Sequence, residues 1–167
     1  VVKVLRPGVE QLVAKDMTVA VPLVRWLARR YPNPHVRNAR TVVEEYSVKI
    51  AEEMDFVLEA SYARRIRENF KGHPRVAVPA VVESLVTQRV LGLEYMEGVR
   101  IDQVVARSGD APHDPRGVVS TVMELYLQMM LVDGLFHADP HPGNLLASPD
   151  GKVVLLDFGM VVDVPRE

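Results

Sequence analysis

Cysteine is absent from the 167 residues, which excludes disulfides and thiolate metal sites and fits a reducing compartment. An excess of charge is missing too: 20 Lys and Arg against 22 Asp and Glu leave a formal net charge of −2. Nothing therefore favours a polyanionic partner such as nucleic acid. No apolar run suits a membrane span. The longest, Val118 to Phe136, is interrupted by Glu124 and Asp133. Its Val118, Val122, Leu125, Met129 and Val132 recur at helical spacing, which predicts a buried amphipathic helix. The opening VVKVLRPG sets Lys3 and Arg6 inside a short apolar run, unlike a signal peptide. Internal repeats are lacking. What is present is an ordinary globular balance, 48% hydrophobic and 25% charged, with chain enough for one compact domain or a large part of a two-lobed one. Without an initiator Met, beginning strand-like and ending soon after its densest motif, the chain is expected to be part of a longer protein.

The order of elements predicts an α+β plan. Val1 to Leu5 forms a strand, ended by Arg6-Pro7-Gly8, and a helical segment follows to about Arg30 with Pro22 beginning, kinking or interrupting it. Pro32 and Pro34 mark a loop. One long helix is expected from Thr41 to about Phe70, with Val42, Tyr46, Ile50, Met54, Val57 and Leu58 as its apolar stripe. Two β-rich runs come next, Val76 to Val82 and Leu85 to Tyr95, with Pro79 marking an edge or bulge. After Glu97-Gly98, a short helix at Ile101 to Arg107 leads through a polar Ser-Gly-Asp loop to a helix from Asp114 to Val132. A loop and two small strands near Leu145-Leu146 and Val153-Leu156 complete the chain.

The chemistry concentrates near the C-terminus, in HADPHPGN (His137 to Asn144) and DFG (Asp157 to Gly159). Phosphoryl transfer needs metal ions to neutralise phosphate charge and a carboxylate to orient the attacking oxygen, and little covalent help. Asp139 and Asn144 fall in one loop, the Asp toward a nucleophile and the Asn toward magnesium. Asp157, after a short hairpin, closes on the same ion, and hard oxygen ligands suit Mg²⁺. Asp, Pro, Gly and Asn are also common turn formers, and either motif alone would carry little. In this order, with a hairpin-sized gap between them, they point to phosphotransfer. A second chemistry reads His137, Asp139 and His141 as zinc ligands of a metallohydrolase, sharing one face of an extended segment. Pro140 and Pro142 oppose that strand, and no further His follows.

A kinase-type site also takes a strand Lys for the α/β-phosphates and a helix Glu to hold that Lys. Lys3 sits in the strand-like VVKVL, where a lone lysine would read as a solvated strand residue. EEMDFVLEA offers Glu53, Asp55 and Glu59. On a continuous helix Asp55 and Glu59 share a face, and Glu53 points about a third of a turn away. Glu59, within FVLEA, suits a buried ion pair; Arg64, Arg65, Arg67 and Glu68 read as a solvated face. LEYMEG (Leu93 to Gly98) reads as a strand entering a linker, where Glu94 offers a carbonyl and Met96 an N–H to an adenine ring.

VKVLRPGV, EMDFVLEA, LEYMEGVRI and GLFHADPHPGNLL with LLDFGM resemble the UbiB family of atypical kinases, also called the ADCK or ABC-one family, over essentially the whole chain. The resemblance implies a protein-kinase-like two-lobed fold, truncated at both ends: residues 1–96 as an N-lobe portion, 97–167 as hinge and C-lobe portion. It implies Lys3 as the β3 lysine, Glu59 as its helix partner, Asp139 as the catalytic-loop Asp, and Asn144 and Asp157 as magnesium ligands. Glu53-x-Asp55 matches the family's ExD signature, which in relatives lies near nucleotide and metal. ATP and Mg²⁺ are the implied cofactors, and an ATPase or kinase supporting ubiquinone or related prenyl-quinone biosynthesis the implied activity. A lipid or quinone-precursor ligand and quinone-biosynthesis proteins are the implied partners. The implied location is the cytoplasm, at the cytoplasmic face of a bacterial inner membrane, held by segments outside this chain. Arg25, Arg29 and Arg30 read first as a solvated helix face and only second as a contact for anionic lipid. Two other functions share these motifs: a non-catalytic nucleotide-sensing scaffold of a quinone-biosynthesis complex, and a small-molecule phosphotransferase of the aminoglycoside or choline kinase type, against which Glu53-x-Asp55 argues.

Overall fold

A computed structural model describes residues 1–106 and 114–164, the side chains at 49, 51–53, 105 and 106 apart. Strand β1 (Val2–Val4) is followed by helices α1 (Val9–Arg30), α2 (Pro34–Glu53) and α3 (Phe56–Asn69). Strands β2 (Val76–Ala77), β3 (Val81–Thr87), β4 (Val90–Leu93) and β5 (Val99–Arg100) follow, then helices α4 (Ile101–Ala106) and α5 (Pro115–Gln128). Strands β6 (Leu135–His137), β7 (Leu145–Ala147), β8 (Val153–Leu155) and β9 (Val161–Asp163) close the described chain.

The single helix expected from Thr41 to Phe70 is two. The chain leaves α2 after Glu53, and Asp55 takes an extended conformation (φ −105°, ψ 94°) as the N-cap of α3. Its carboxylate accepts from the backbone N–H of Val57 at 2.9 Å and of Leu58 at 3.4 Å, two donors that a helix start leaves without partners. Capping and helix continuation compete for the same Asp, and here capping wins. The expected apolar stripe breaks with it, because the two helices turn different faces inward. Val42, Tyr46 and Val57 are exposed, while α3 buries Phe56, Glu59, Ala60, Ala63 and Ile66. Asp55→Ala is expected to cost about 1 kcal/mol, the usual worth of an N-cap, read as a lower denaturation midpoint of the full-length protein.

Other boundaries shift for similar local reasons. Pro22 lies inside α1 and neither starts nor ends it. The turn of the β-hairpin falls at Gln88-Arg89 rather than between Val82 and Leu85, with Thr87 Oγ1 accepting from the N–H groups of Arg89 and Val90. The last long helix stops at Gln128 and continues as a π-helical turn, Met129–Asp133, closed by Gly134 at φ 64°. The wider turn rotates the face it presents. Val118, Leu125 and Met129 are buried as their spacing predicts, but Val132 is exposed. The far end of the expected Ile101 to Arg107 helix and the Ser-Gly-Asp loop lie outside the described residues.

Three sheets frame the site. β1, β4 and β3 form an antiparallel sheet in the order β1-β4-β3, with Lys3 opposite Leu91. β5, β7, β8 and β2 form a second, in which β2 runs parallel to β8 and so ties the segment after α3 to the C-terminal hairpin. β6 and β9 pair across the site from below, with His137 opposite Val161. That last pairing joins residues with no sequence signal of their own. α3 packs on β3 and β4, and its Ala60, Ala63 and Ile66 join Leu91, Leu93, Val153, Leu155 and Phe158 in one core cluster. Small residues on α3 let it lie close to the sheet. α1 and α2 pack chiefly on each other, joined by Arg25 and Glu44 at 2.6 Å.

Candidate functional site

Lys3 is the middle residue of β1. Val2 and Val4 are exposed, so alternation along the strand turns Lys3 to the opposite face, over α3. There its Nζ donates to Glu59 Oε1 at 2.5 Å and to Asp157 Oδ1 at 2.9 Å. Glu59 is only 5% exposed because it occupies the inward stripe of α3, where an unpaired carboxylate would be costly. It also accepts from the backbone N–H of Phe158 at 3.4 Å. One buried glutamate thus ties a strand lysine to the Asp157-Phe158-Gly159 turn.

The electrostatics follow from that arrangement. Burial lowers the affinity of Lys3 for its proton, but the charges and hydrogen bonds of Glu59 and Asp157 outweigh it and leave its pKa raised. Burial also works against ionised Asp157, yet the Lys3 ammonium and the Gly159 N–H, donating at 3.2 Å, hold its carboxyl below the usual range. Burial pushes the Glu59 carboxyl up despite Lys3, and the Asp157 charge adds to that push. At neutral pH the turn therefore presents an ionised aspartate to the cleft.

The loop from 137 to 144 is braced from beneath. His137 is fully buried, and its Nδ1 accepts from the Asp139 N–H at 3.2 Å. Its Nε2 then carries the proton and donates to the Asp157 carbonyl at 2.6 Å, an assignment made by the hydrogen-bond network. Burial lowers the His137 pKa, in keeping with a neutral ring. Both nitrogens are used inside the protein, and His141 Nδ1 accepts from Gly143 N–H at 3.0 Å in the tight turn of Pro142–Asn144. The zinc reading fails on this geometry: among the described residues no three His, Asp or Glu side chains are placed to share a metal. His137 instead locks the two motifs to each other. Its signal in the sequence was its place two residues before Asp139, where a buried ring can hold that residue's N–H.

Asp139 Oδ2 accepts from Asn144 Nδ2 at 2.9 Å, and Leu156 N–H donates to the Asn144 carbonyl at 2.9 Å, fastening the loop to the strand that leads into Asp157. Asp139 lines a cleft of about 340 Å³ together with Lys3, Glu59, Asp157, Gly159 and Met160. With its amide nitrogen turned to Asp139, Asn144 keeps an oxygen for a cation. The Asp157 carboxylate and the Asn144 amide oxygen are hard donors of the type Mg²⁺ takes.

A second cavity, about 330 Å³, adjoins the first at Lys3, which lines both. Its walls are apolar: Val1, Pro79 and Leu93 on one side, Leu146 and Leu156 on the other. Glu94, Tyr95, Met96 and Gly98 complete its lining. A Cβ on Gly98 would stand 2.8 Å from the Ala147 carbonyl oxygen, so the connector passes β7 too closely for any side chain. The sequence offered no sign of Val1, Pro79, Leu146 or Leu156 as walls, because each is an unremarkable apolar residue until the sheets face one another.

Lys3, Glu59, Asp139 and Asp157 therefore share one cleft, Asn144 is bonded to it through Asp139, and Glu94 and Met96 border the adjoining cavity. Asp55 is not among the residues lining either; beside capping α3, it borders a separate hollow with Glu10, Met54 and Gln88. The shared-face argument for Asp55 and Glu59 lapses with the helix break. Glu53 lies outside the described side chains. No helix among the described residues is long and apolar enough to cross a membrane.

Comparison with known proteins accords with this geometry. Residues 1–167 match the model of the ABC1 atypical kinase-like domain. The chain is 34% identical to the Arabidopsis thaliana protein ACTIVITY OF BC1 COMPLEX KINASE 3, chloroplastic, over 99% of its own length and 23% of the relative's. It is 36% identical to ACTIVITY OF BC1 COMPLEX KINASE 1, chloroplastic, from the same plant, over 99% and 24%. The chain thus spans about a quarter of these relatives. Among solved structures, Rv3197 of Mycobacterium tuberculosis, in complex with erythromycin, superposes with a TM-score of 0.80 at 28% identity, covering 98% of this chain and 40% of that one.

Proposed function

The chain belongs to the ABC1 atypical kinase-like domain family, and from that premise we propose that its cleft binds MgATP and hydrolyses it or passes the γ-phosphate to a small or lipid-linked acceptor. The observation that carries the reading is Lys3 paired with Glu59 and set beside Asp157, since kinase sites position a nucleotide's phosphates with a lysine–glutamate pair next to a metal-binding Asp. The apolar cavity takes the adenine, against the backbone of Glu94 and Met96. Lys3 holds the α- and β-phosphates. Asn144 and Asp157 hold Mg²⁺, which neutralises charge on the transferring group. Asp139, with one oxygen engaged by Asn144, aims the other at the attacking hydroxyl or water. Support of prenyl-quinone biosynthesis, with a lipid or quinone-precursor ligand and membrane attachment through other segments, is proposed from the family resemblance.

Asp139→Asn in the full-length protein tests the catalytic part. MgATP affinity is expected to stay within about threefold while turnover falls at least about 100-fold, the usual range for a lost proton acceptor. Equal turnover in variant and parent refutes the role of Asp139. MgATP binding by the parent with no hydrolysis, lipid included, replaces the enzyme by a nucleotide-sensing scaffold.

A further inference from the structure

Glu94 and Met96 each line two cavities. One is the apolar cavity that opens to Lys3. The other, about 300 Å³, lies between the end of α3, β2 and the β7–β8 turn, and Glu94 and Met96 line both. Its floor is Phe70, Val76 and Val78, all buried. Its rim is cationic: Arg67, Lys71 and Lys152, with His73 set edge-on to Phe70 at 5.8 Å.

Basic residues near a helix C-terminus usually just offset the helix dipole. That accounts for Arg67 and Lys71, whereas Lys152 arrives from the other end of the chain through the pairing of β2 with β8. Lys71 pairs with Glu68 at 3.0 Å and Lys152 with Asp150 at 2.9 Å, but neither carboxylate lines the cavity. The one carboxylate that does, Glu94, is turned to accept from the Ala80 N–H at 2.9 Å. Arg67, Lys71 and Lys152 thus line the cavity with one carboxylate, Glu94, which the Ala80 N–H engages, while Lys71 and Lys152 each keep a carboxylate partner outside it.

We propose that this cavity binds a small soluble ligand bearing phosphate, and that its occupancy changes affinity in the apolar cavity through Glu94 and Met96, which line both. A recess of this volume holds one small molecule, and separated ammonium and guanidinium groups suit the several oxygens of a phosphate. The site stands on its own lining. The coupling rests on the nucleotide reading above, and is reciprocal by linkage.

Inorganic pyrophosphate is the probe, titrated calorimetrically into the full-length protein in EDTA. A Lys3→Ala background silences the neighbouring cleft. Saturable binding is expected, weakened at least about tenfold by Arg67→Glu with Lys71→Glu, roughly the worth of one charge-assisted hydrogen bond. Both residues are exposed, so the charge-reversed protein is expected to stay folded, with a melting temperature lowered only modestly by the lost helix-end charge and the lost Glu68 pair. No binding, or equal binding by the charge-reversed protein, overturns the site. Adenosine, which carries no phosphate, reads the coupling in the protein with Lys3 intact. Its affinity is expected to change at least about threefold when pyrophosphate saturates, a coupling of ordinary size, and to stay constant in the charge-reversed protein. An affinity indifferent to bound pyrophosphate overturns the coupling. Adenosine that fails to bind at all overturns the nucleotide reading and the coupling with it, while the direct titration still decides the anion site.

Discussion

Asp157→Asn in the full-length protein is expected to abolish Mg²⁺-dependent ATP binding, leaving only the weak affinity contributed by the adenine cavity. The substitution keeps the shape and the hydrogen bond from Gly159, but removes the charge that pairs with Lys3 and that the proposed Mg²⁺ would need. An amide oxygen is a poor substitute for a carboxylate toward a hard dication that keeps much of its water. Because the Asp157 carboxyl is held below its ordinary range, the parent keeps its metal dependence through mildly acidic pH and loses it only as pH falls through that lowered value. Equilibrium binding of ATP with and without Mg²⁺, from acid to neutral pH, checks both statements. An ATP affinity unchanged by the substitution refutes the metal role of Asp157.

Lys3→Ala is expected to act twice. The ATPase rate falls at least about 100-fold, since a positioned cation on transferring phosphates is worth several kcal/mol. Stability falls as well, by roughly 3 kcal/mol near neutral pH, because Glu59 remains buried without its partner. The two losses separate by pH. With Lys3 gone, Glu59 is expected to keep a folded-state pKa above its unfolded value, because burial already raises it. A raised acid is stabilising below the unfolded value, and that contribution disappears as pH rises through the folded one. The variant is therefore expected to lose less stability at pH 5 than at pH 8, in urea denaturation at each. Glu59→Gln on the Lys3→Ala background recovers stability at the higher pH and leaves the rate low. A wild-type ATPase rate in Lys3→Ala removes Lys3 from the site.

The parts of the site that were legible in the sequence were those where residue type and local spacing suffice. Asp139 and Asn144 lie five positions apart in one loop, and Asp157 follows a short hairpin between two small strands. Lys3 stood out as one charge in an apolar strand, Glu59 as one charge in an apolar stretch of helix. The errors arose where a residue had two locally adequate uses. Asp55 can continue a helix or cap one, and helical periodicity gives no warning of the second. Val132 keeps its spacing while the π-helical turn rotates it outward. His137 and His141 show the same ambiguity for zinc, resolved only by where their nitrogens point.

By itself the sequence determined the identity and order of the charged groups, the family, and the elements whose patterns are local: α3 after its cap, α5, and the β7–β8 hairpin. Tertiary structure decided that Lys3, Glu59 and Asp157 meet. It also decided that His137 clasps the Asp157 carbonyl, that β2 crosses to β8, and that two cavities flank Glu94–Met96. The physical reason is one of range. Capping, periodicity and turn chemistry act over a few residues, whereas burying Glu59 becomes tolerable only once a cation from the sheet that α3 packs on and an N–H from the C-terminal turn arrive beside it.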